Sequence, residues 1–258
     1  MIIDSHCHLT YEPMSLSLEE TIKRANNDGI KFMLTISTED KSFNKILKIV
    51  TKYSCVYGTY GIHPHEAKLH KKIKTEHILQ KINLNKKIIG IGETGLDFYY
   101  NHSDKNDQIS CFEQHIYAAQ ESNFPLIVHT RSAENETFEI LKKNLKKKDF
   151  KILIHCFTGS REFAFKLIDI GAYISASGVV TFKKSFDLAN TFKDLPNEKI
   201  LVETDAPYLA PVPLRGKPNE PSYLVHTVKF LSELKKLSFN DFSNITTNNF
   251  FNLFGKLS

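Results

Sequence analysis

Short apolar runs alternate with longer amphipathic stretches along the whole chain. The runs are MIID at 1–4, FMLTIS at 32–37, CVYGTYGIH at 55–63, IIGIGE at 88–93, PLIVH at 125–129, KILIHCF at 151–157, AYISAS at 172–177 and KILVETD at 199–205. They are short and rich in β-branched residues, so each predicts a strand. The segments between them have helical spacing. SLEETIKRANNDG at 17–29 is one; in another, at 104–123, Ile109, Phe112, Ile116 and Ala119 form a single stripe beside His115. Strands that alternate with helices in this way predict an α/β fold, a TIM (β/α)8 barrel with its functional rim at the C-terminal ends of the strands. The tail from Pro221 to Leu257 reads as two closing helices. No Gly/Ser linker, repeat or low-complexity block divides the chain, so residues 1–258 are expected to form one domain.

Polar residues that end the runs change the picture. The first run leads into D-S-H-C-H, and on a strand His6 and His8 leave the same face while Cys7 points away. Two buried imidazoles side by side are either a hydrogen-bonded core pair or part of a metal site. The other runs bear on that choice. The fourth ends in Glu93, the fifth in His129, the sixth contains His155 and the eighth ends in Asp205, so four imidazoles and two carboxylates fall on one rim. Mixed imidazole and carboxylate ligation suits Zn or Mn and tolerates Mg. Six ligands exceed what one catalytic ion usually takes, so two divalent metal ions are expected, with Glu93, central in strand order, as the bridge.

Bulk properties narrow the class without deciding it. In 258 residues, 41% are hydrophobic and 24% charged, which excludes a disordered chain, and the net charge of +5 tolerates a polyanionic substrate without implying one. The four cysteines are scattered, with no C-x-x-C pair, so reduced thiols in a cytoplasmic setting are expected. No signal peptide is expected at an N-terminus that opens directly into a strand, and no apolar run is long enough for a membrane span.

The blocks DSHCHL (4–9), GIHPHEA (61–67), GETGLDFYY (92–100), HTR (129–131), HCFTGS (155–160), ETDAPYLAPVPLRGKPNEP (203–221) and TTNNFFNLFG (246–255) together resemble the TatD family of metal-dependent deoxyribonucleases, among the amidohydrolase-like barrels. The resemblance implies that His6, His8, Glu93 and Asp205 hold one ion and that Glu93, His129 and His155 hold the second. It also implies a hydrolase that cleaves phosphodiester bonds in DNA, with RNA as a further substrate, as a 3′–5′ exodeoxyribonuclease. A hydroxide held between the ions is the expected nucleophile, with Asp205 as general base. One departure is Ser132, where the family usually has Asp after HTR.

Further residues suit supporting roles. Glu203, two residues before Asp205, is expected deeper, holding a ligand in place or forming a buried salt bridge. His63, His65, Arg131 and Arg215 are candidates for phosphate contact, and Tyr99 and Tyr100 for base stacking or for packing. The lysine run KKNLKKKDFK at 142–151 falls at the end of the fifth helix, opposite the metal rim, and reads as a solvated face. A monomer is expected. The competing reading is an amidohydrolase-type esterase or deacylase acting on a small molecule or an aminoacyl-tRNA. Many such enzymes bridge their metals with a modified lysine, and GIGETGLDF contains none.

Overall fold

A computed structural model of the chain describes residues 1–255. Its parallel strands lie in sequence order in one sheet: β1 (Ile2–Cys7), β2 (Ile30–Thr35), β3 (Val56–Tyr60), β4 (Ile88–Asp97), β5 (Leu126–Arg131), β6 (Ile152–Ile154), β7 (Tyr173–Ala176) and β8 (Ile200–Val202). Helices follow each strand: α1 (Leu18–Asn27), α2 (Phe43–Lys52), α3 (Thr75–Ile82), α4 (Lys105–Ser122), α5 (Glu134–Leu145), α6 (Arg161–Asp169), α7 (Phe186–Asp194), then α8 (Leu224–Leu234) and α9 (Phe239–Phe254). Asp205 N donates to the His6 carbonyl at 2.9 Å and His8 N to the Ala206 carbonyl at 2.8 Å, which nearly closes the ring between β1 and the segment after β8. The fold is a TIM (β/α)8 barrel. The two closing helices are α8 and α9, and Leu257, the expected end of the second, lies outside the described residues.

Burial explains the two periodicities. On α4, Phe112, His115, Ile116 and Ala119 are buried against the barrel, as their stripe predicts. Inside the barrel, Ile3, Leu34, Tyr57, Ile127, Leu153 and Leu201 form a second core with Phe250 and Leu253 of α9. Helix α9 therefore plugs the N-terminal mouth, and Thr247 Oγ1 ties it to the Met1 carbonyl at 2.9 Å. The open end of the barrel is the carboxyl end.

The strand ends differ from the apolar runs. β4 continues past Glu93 to Asp97, whereas β3, β6 and β8 stop at Tyr60, Ile154 and Val202, short of His63, His155 and Asp205. Register irregularities also interrupt simple alternation. Ile3 faces the inner core while Cys7 packs in the outer layer, and the β1–β2 register shifts between Asp4 and Cys7. Between β3 and β4, Gly58 pairs with Ile88 but Thr59 pairs with Gly90, and between β4 and β5 a second shift falls between Ile91 and Thr94. Each extra residue reverses which side chains face inward. The β1 shift turns His6 into the mouth, and the shift after Ile91 turns Glu93 there relative to Ile91.

Candidate metal centre

Glu93 lies at the centre of the mouth, nearly buried, and its two oxygens face different groups. Oε2 is 3.3 Å from His6 Nε2 and 3.9 Å from His8 Nε2, and Asp205 Oδ1 lies 3.6 and 3.3 Å from the same two nitrogens. Oε1 is 3.0 Å from His155 Nε2, 3.3 Å from His129 Nδ1 and 3.3 Å from His63 Nε2. The six residues expected at the rim therefore converge, and they divide into two sets that share one carboxylate.

The groups are set by short, rigid elements. On β5, Leu126 and Val128 pack in the outer layer and Ile127 inside the barrel, so His129 also faces inward, two residues before the strand ends at Arg131. His155 directly follows β6, and its Nδ1 faces Glu203 Oε1 at 3.5 Å. Glu203 is fully buried beneath the mouth and accepts from Ser175 Oγ on β7. Asp205 follows β8 with φ 55°, a left-handed conformation that Asp tolerates better than most residues. Asp4 is a further buried carboxylate. It accepts from Thr204 N at 3.0 Å and Thr204 Oγ1 at 2.6 Å, and so locks β1 against the segment that carries Asp205. Burial pushes the Asp4 carboxyl up to about 7.

Charge in this cluster is out of balance for a dry interior. Among the described residues, nine buried side-chain polar atoms lack a hydrogen-bond partner, and six of them belong to His6, His8, Glu93, His155 and Glu203. Clustered orphan donors and acceptors are costly unless a cation engages the lone pairs. The donor set is imidazole nitrogen and carboxylate oxygen, the chemistry that borderline divalent ions take. The groups His6–His8–Glu93, His63–Glu93–His129 and His6–His155–Glu203 each bring three such atoms close enough to hold an ion. Burial alone would raise Glu93, but His155 and the surrounding imidazoles hold it well below the usual carboxylate range. Burial lowers His155, and Glu93 and Glu203 more than reverse this, so its pKa lies well above that of a free imidazole.

The profile of the TatD-related DNase family matches residues 3–255. The chain belongs to the TatD-related DNase family. It is 39% identical to an uncharacterized metal-dependent hydrolase of Buchnera aphidicola over 98% of both chains. It is 33% identical to the 3′-5′ ssDNA/RNA exonuclease TatD of Citrobacter koseri over 87% of this chain and 88% of that one. Among solved structures, YjjV, a TatD homolog from Escherichia coli, superposes with a TM-score of 0.89 at 25% identity, covering 99% of this chain and 98% of that one. An organophosphorus hydrolase variant from Deinococcus radiodurans shares the fold alone, with a TM-score of 0.70 at 12% identity. This TatD chain is a metal-dependent hydrolase, and no helix of the described residues is long and apolar enough to cross a membrane.

The remaining candidates of the TatD chain separate on position. His63, His65 and Arg131 line a cavity of about 870 Å³ above the metal-binding groups, together with Tyr11, Tyr100 and Tyr208. The Arg131 guanidinium lies 4.2 Å over the Tyr99 ring and 4.6 Å over that of Tyr100, so these tyrosines support a cation at the rim. The structure does not bring Arg215 into the cavity; its guanidinium packs 4.3 Å over Phe182. Ser132 is exposed just past β5 with φ 52°. Sequence reasoning missed Asp97. Its Oδ2 accepts from His65 Nε2 at 2.9 Å and His129 Nε2 at 3.3 Å, and its Oδ1 accepts from Tyr99 N and Tyr100 N, both at 3.0 Å. The signal was present: Asp97 stands four residues after Glu93 and so shares its face if the strand continues.

Proposed function

We propose that this chain hydrolyses phosphodiester bonds at the 3′ end of single-stranded DNA, using two divalent ions. The observation that carries the reading is the division of labour at Glu93, with one oxygen toward His6, His8 and Asp205 and the other toward His129 and His155. In this reading His6, His8, Glu93 and Asp205 hold one ion, and Glu93, His129 and His155 hold the other. Bound ions would supply Lewis acidity toward the phosphoryl group and acidify water. The protein's own groups do the rest. Asp205 offers Oδ1 to the metal side and keeps its second oxygen to take the proton of the attacking water. Burial would raise the Asp205 carboxyl, but its contact with His8 and the charge of His6 hold it below its ordinary value, so it is ionised at neutral pH. Glu203 fixes His155 from below. Arg131, braced on Tyr99 and Tyr100, meets a backbone phosphate as the strand enters.

The related exonuclease of Citrobacter koseri supports the choice of single strands and of the 3′ end. The test is to incubate the Mg- or Mn-reconstituted protein with 3′- and 5′-labelled single strands and resolve the products. Mononucleotides released from the 3′ end are expected. Asp205→Asn should lose about two or more orders of magnitude in turnover, the usual scale for a general base, and still bind DNA. Release from the 5′ end, or hydrolysis confined to carboxylic esters, would overturn the reading.

A further inference from the structure

Each imidazole at the centre has a second nitrogen, and the partner of that nitrogen decides where the proton sits. His129 Nε2 faces the Asp97 carboxylate at 3.3 Å, and His155 Nδ1 faces that of Glu203 at 3.5 Å. A carboxylate only accepts, so His129 Nε2 carries its proton; for His155 the Glu203 charge beside Nδ1, although out of hydrogen-bond alignment, favours the proton there as well. The lone pairs are then on His129 Nδ1 and His155 Nε2, the two atoms aimed at Glu93 Oε1 and lying 3.4 Å apart. That is the wiring of metal ligands.

His63 is wired the other way. Its Nδ1 accepts the backbone N–H of His65 at 3.1 Å, because the ring caps the 3-10 turn Pro64–Leu69. A nitrogen that accepts carries no proton, so the neutral ring has its N–H at Nε2, the atom 3.3 Å from Glu93 Oε1. Protonating Nδ1 would set one N–H against another. The turn is well anchored: Pro64 follows the cap, His63 N donates to the Thr38 carbonyl at 2.8 Å, and His65 itself is held by Asp97. Distance alone groups His63 with Glu93 and His129 as a possible ion holder, but its tautomer presents a proton where a ligand needs a lone pair.

We infer that His63 is a neutral hydrogen-bond donor locked by the His65 amide, and that its Nε2–H binds a non-bridging phosphoryl oxygen of the substrate. The inference rests on the phosphodiesterase reading for the identity of the oxygen, but the donor assignment does not. The ring lines the cavity and is 13% exposed at the side chain, so a ligand oxygen can reach it. A fixed neutral donor costs no reorganisation as charge builds on the phosphoryl group, and an imidazole can serve in this way without transferring its proton.

Three measurements decide it. In metal-free protein with 15N-labelled histidine, the resonances lost in His63→Gln should be those of an Nε2–H tautomer. His63→Ala and His63→Gln should keep the wild-type metal content and affinity in chelator competition. Turnover on oligonucleotides should fall about 10²–10³-fold in His63→Ala, the scale for one lost oxyanion donor. His63→Gln, which retains an N–H near the Nε2 position, should recover at least a tenth of wild-type turnover. An Nδ1–H tautomer, or loss of an ion in His63→Ala, overturns the inference in favour of a ligand. A glutamine variant as inactive as the alanine one, with metal intact, overturns the donor role. Should the wild type cleave no phosphodiester at all, the reaction assignment fails by itself, and the tautomer and metal measurements still decide how His63 is wired.

Discussion

At the scale of single residues, the centre depends on carboxylates that stand behind its imidazoles, on the side away from Glu93. Asp97 holds His129 through Oδ2, holds His65 through the same oxygen, and through Oδ1 fixes the backbone under Tyr99 and Tyr100. Burial would raise its carboxyl, but the hydrogen bond from His129 and those from Tyr100 N and His65 hold it well below the ordinary range. Asp97→Asn preserves shape and removes the charge that selects the His129 tautomer. Metal affinity should therefore fall by about 10–100-fold, the usual cost of losing a carboxylate behind a histidine ligand. Chelator competition reads this directly; an unchanged affinity would show that Asp97 serves only the Tyr99–Tyr100 turn. His6, His8, His129, His155 and Asp205 were visible in the sequence because their chemistry stands out against the apolar runs that precede them. Asp97 was not, because the apolar pattern of the fourth run breaks at the glycines around Glu93 and hides the rest of the strand.

At the scale of elements, helix and strand identity followed from periodicity, while strand phase did not. Alternation from Ile3 would send Cys7 inward and from Ile91 would send Glu93 outward; backbone irregularities on β1 and β4 supply the missing residue in each count. Such shifts are set by pairing with neighbouring strands and leave no mark in one strand's own pattern. Helix order, by contrast, carries reliable spatial information. α5 starts beside the mouth after Arg131 and runs back along the barrel, so Lys146, Lys147 and Lys148 follow its far end, near the strand start at Ile152. Replacing these lysines with serine should leave the Michaelis constant for a short oligonucleotide nearly unchanged. Arg131→Ala should raise it, or lower turnover, by about tenfold or more, the cost of one charged hydrogen bond to phosphate. A crippled lysine variant would place the docking surface at the other end of the barrel.

At the scale of the whole molecule, the plug at one mouth and the ionisable cluster at the other couple stability to metal and pH. α9 fills the N-terminal mouth with Phe250 and Leu253, and the buried ionisable cluster sits at the carboxyl end. Burial works against protonating His8, His129 and His155, but Asp205, Asp97 and Glu93 respectively outweigh it, so all three lie above the ordinary imidazole value of 6.5 in the metal-free fold. A raised group stabilises the fold fully below its unfolded value and loses that contribution as pH rises through its folded value. Glu93 is already ionised and has no proton to give up at neutral pH. An ion bound by those three imidazoles, as proposed, would need the lone pairs that protons occupy at lower pH, so binding would expel protons and strengthen with pH. With the three rings as ligands, as proposed above, they would be deprotonated in the loaded protein, and their loss of stability on the alkaline side would disappear. The rise in Tm on adding Mn or Zn to chelator-treated protein should therefore be larger at about pH 8 than at about pH 6. Calorimetric titration at the lower pH, in buffers of different ionisation enthalpy, should show protons released on binding. An increment that does not grow with pH would mean that the histidines are neutral before metal arrives, and that the charge balance around Glu93 is other than the geometry indicates.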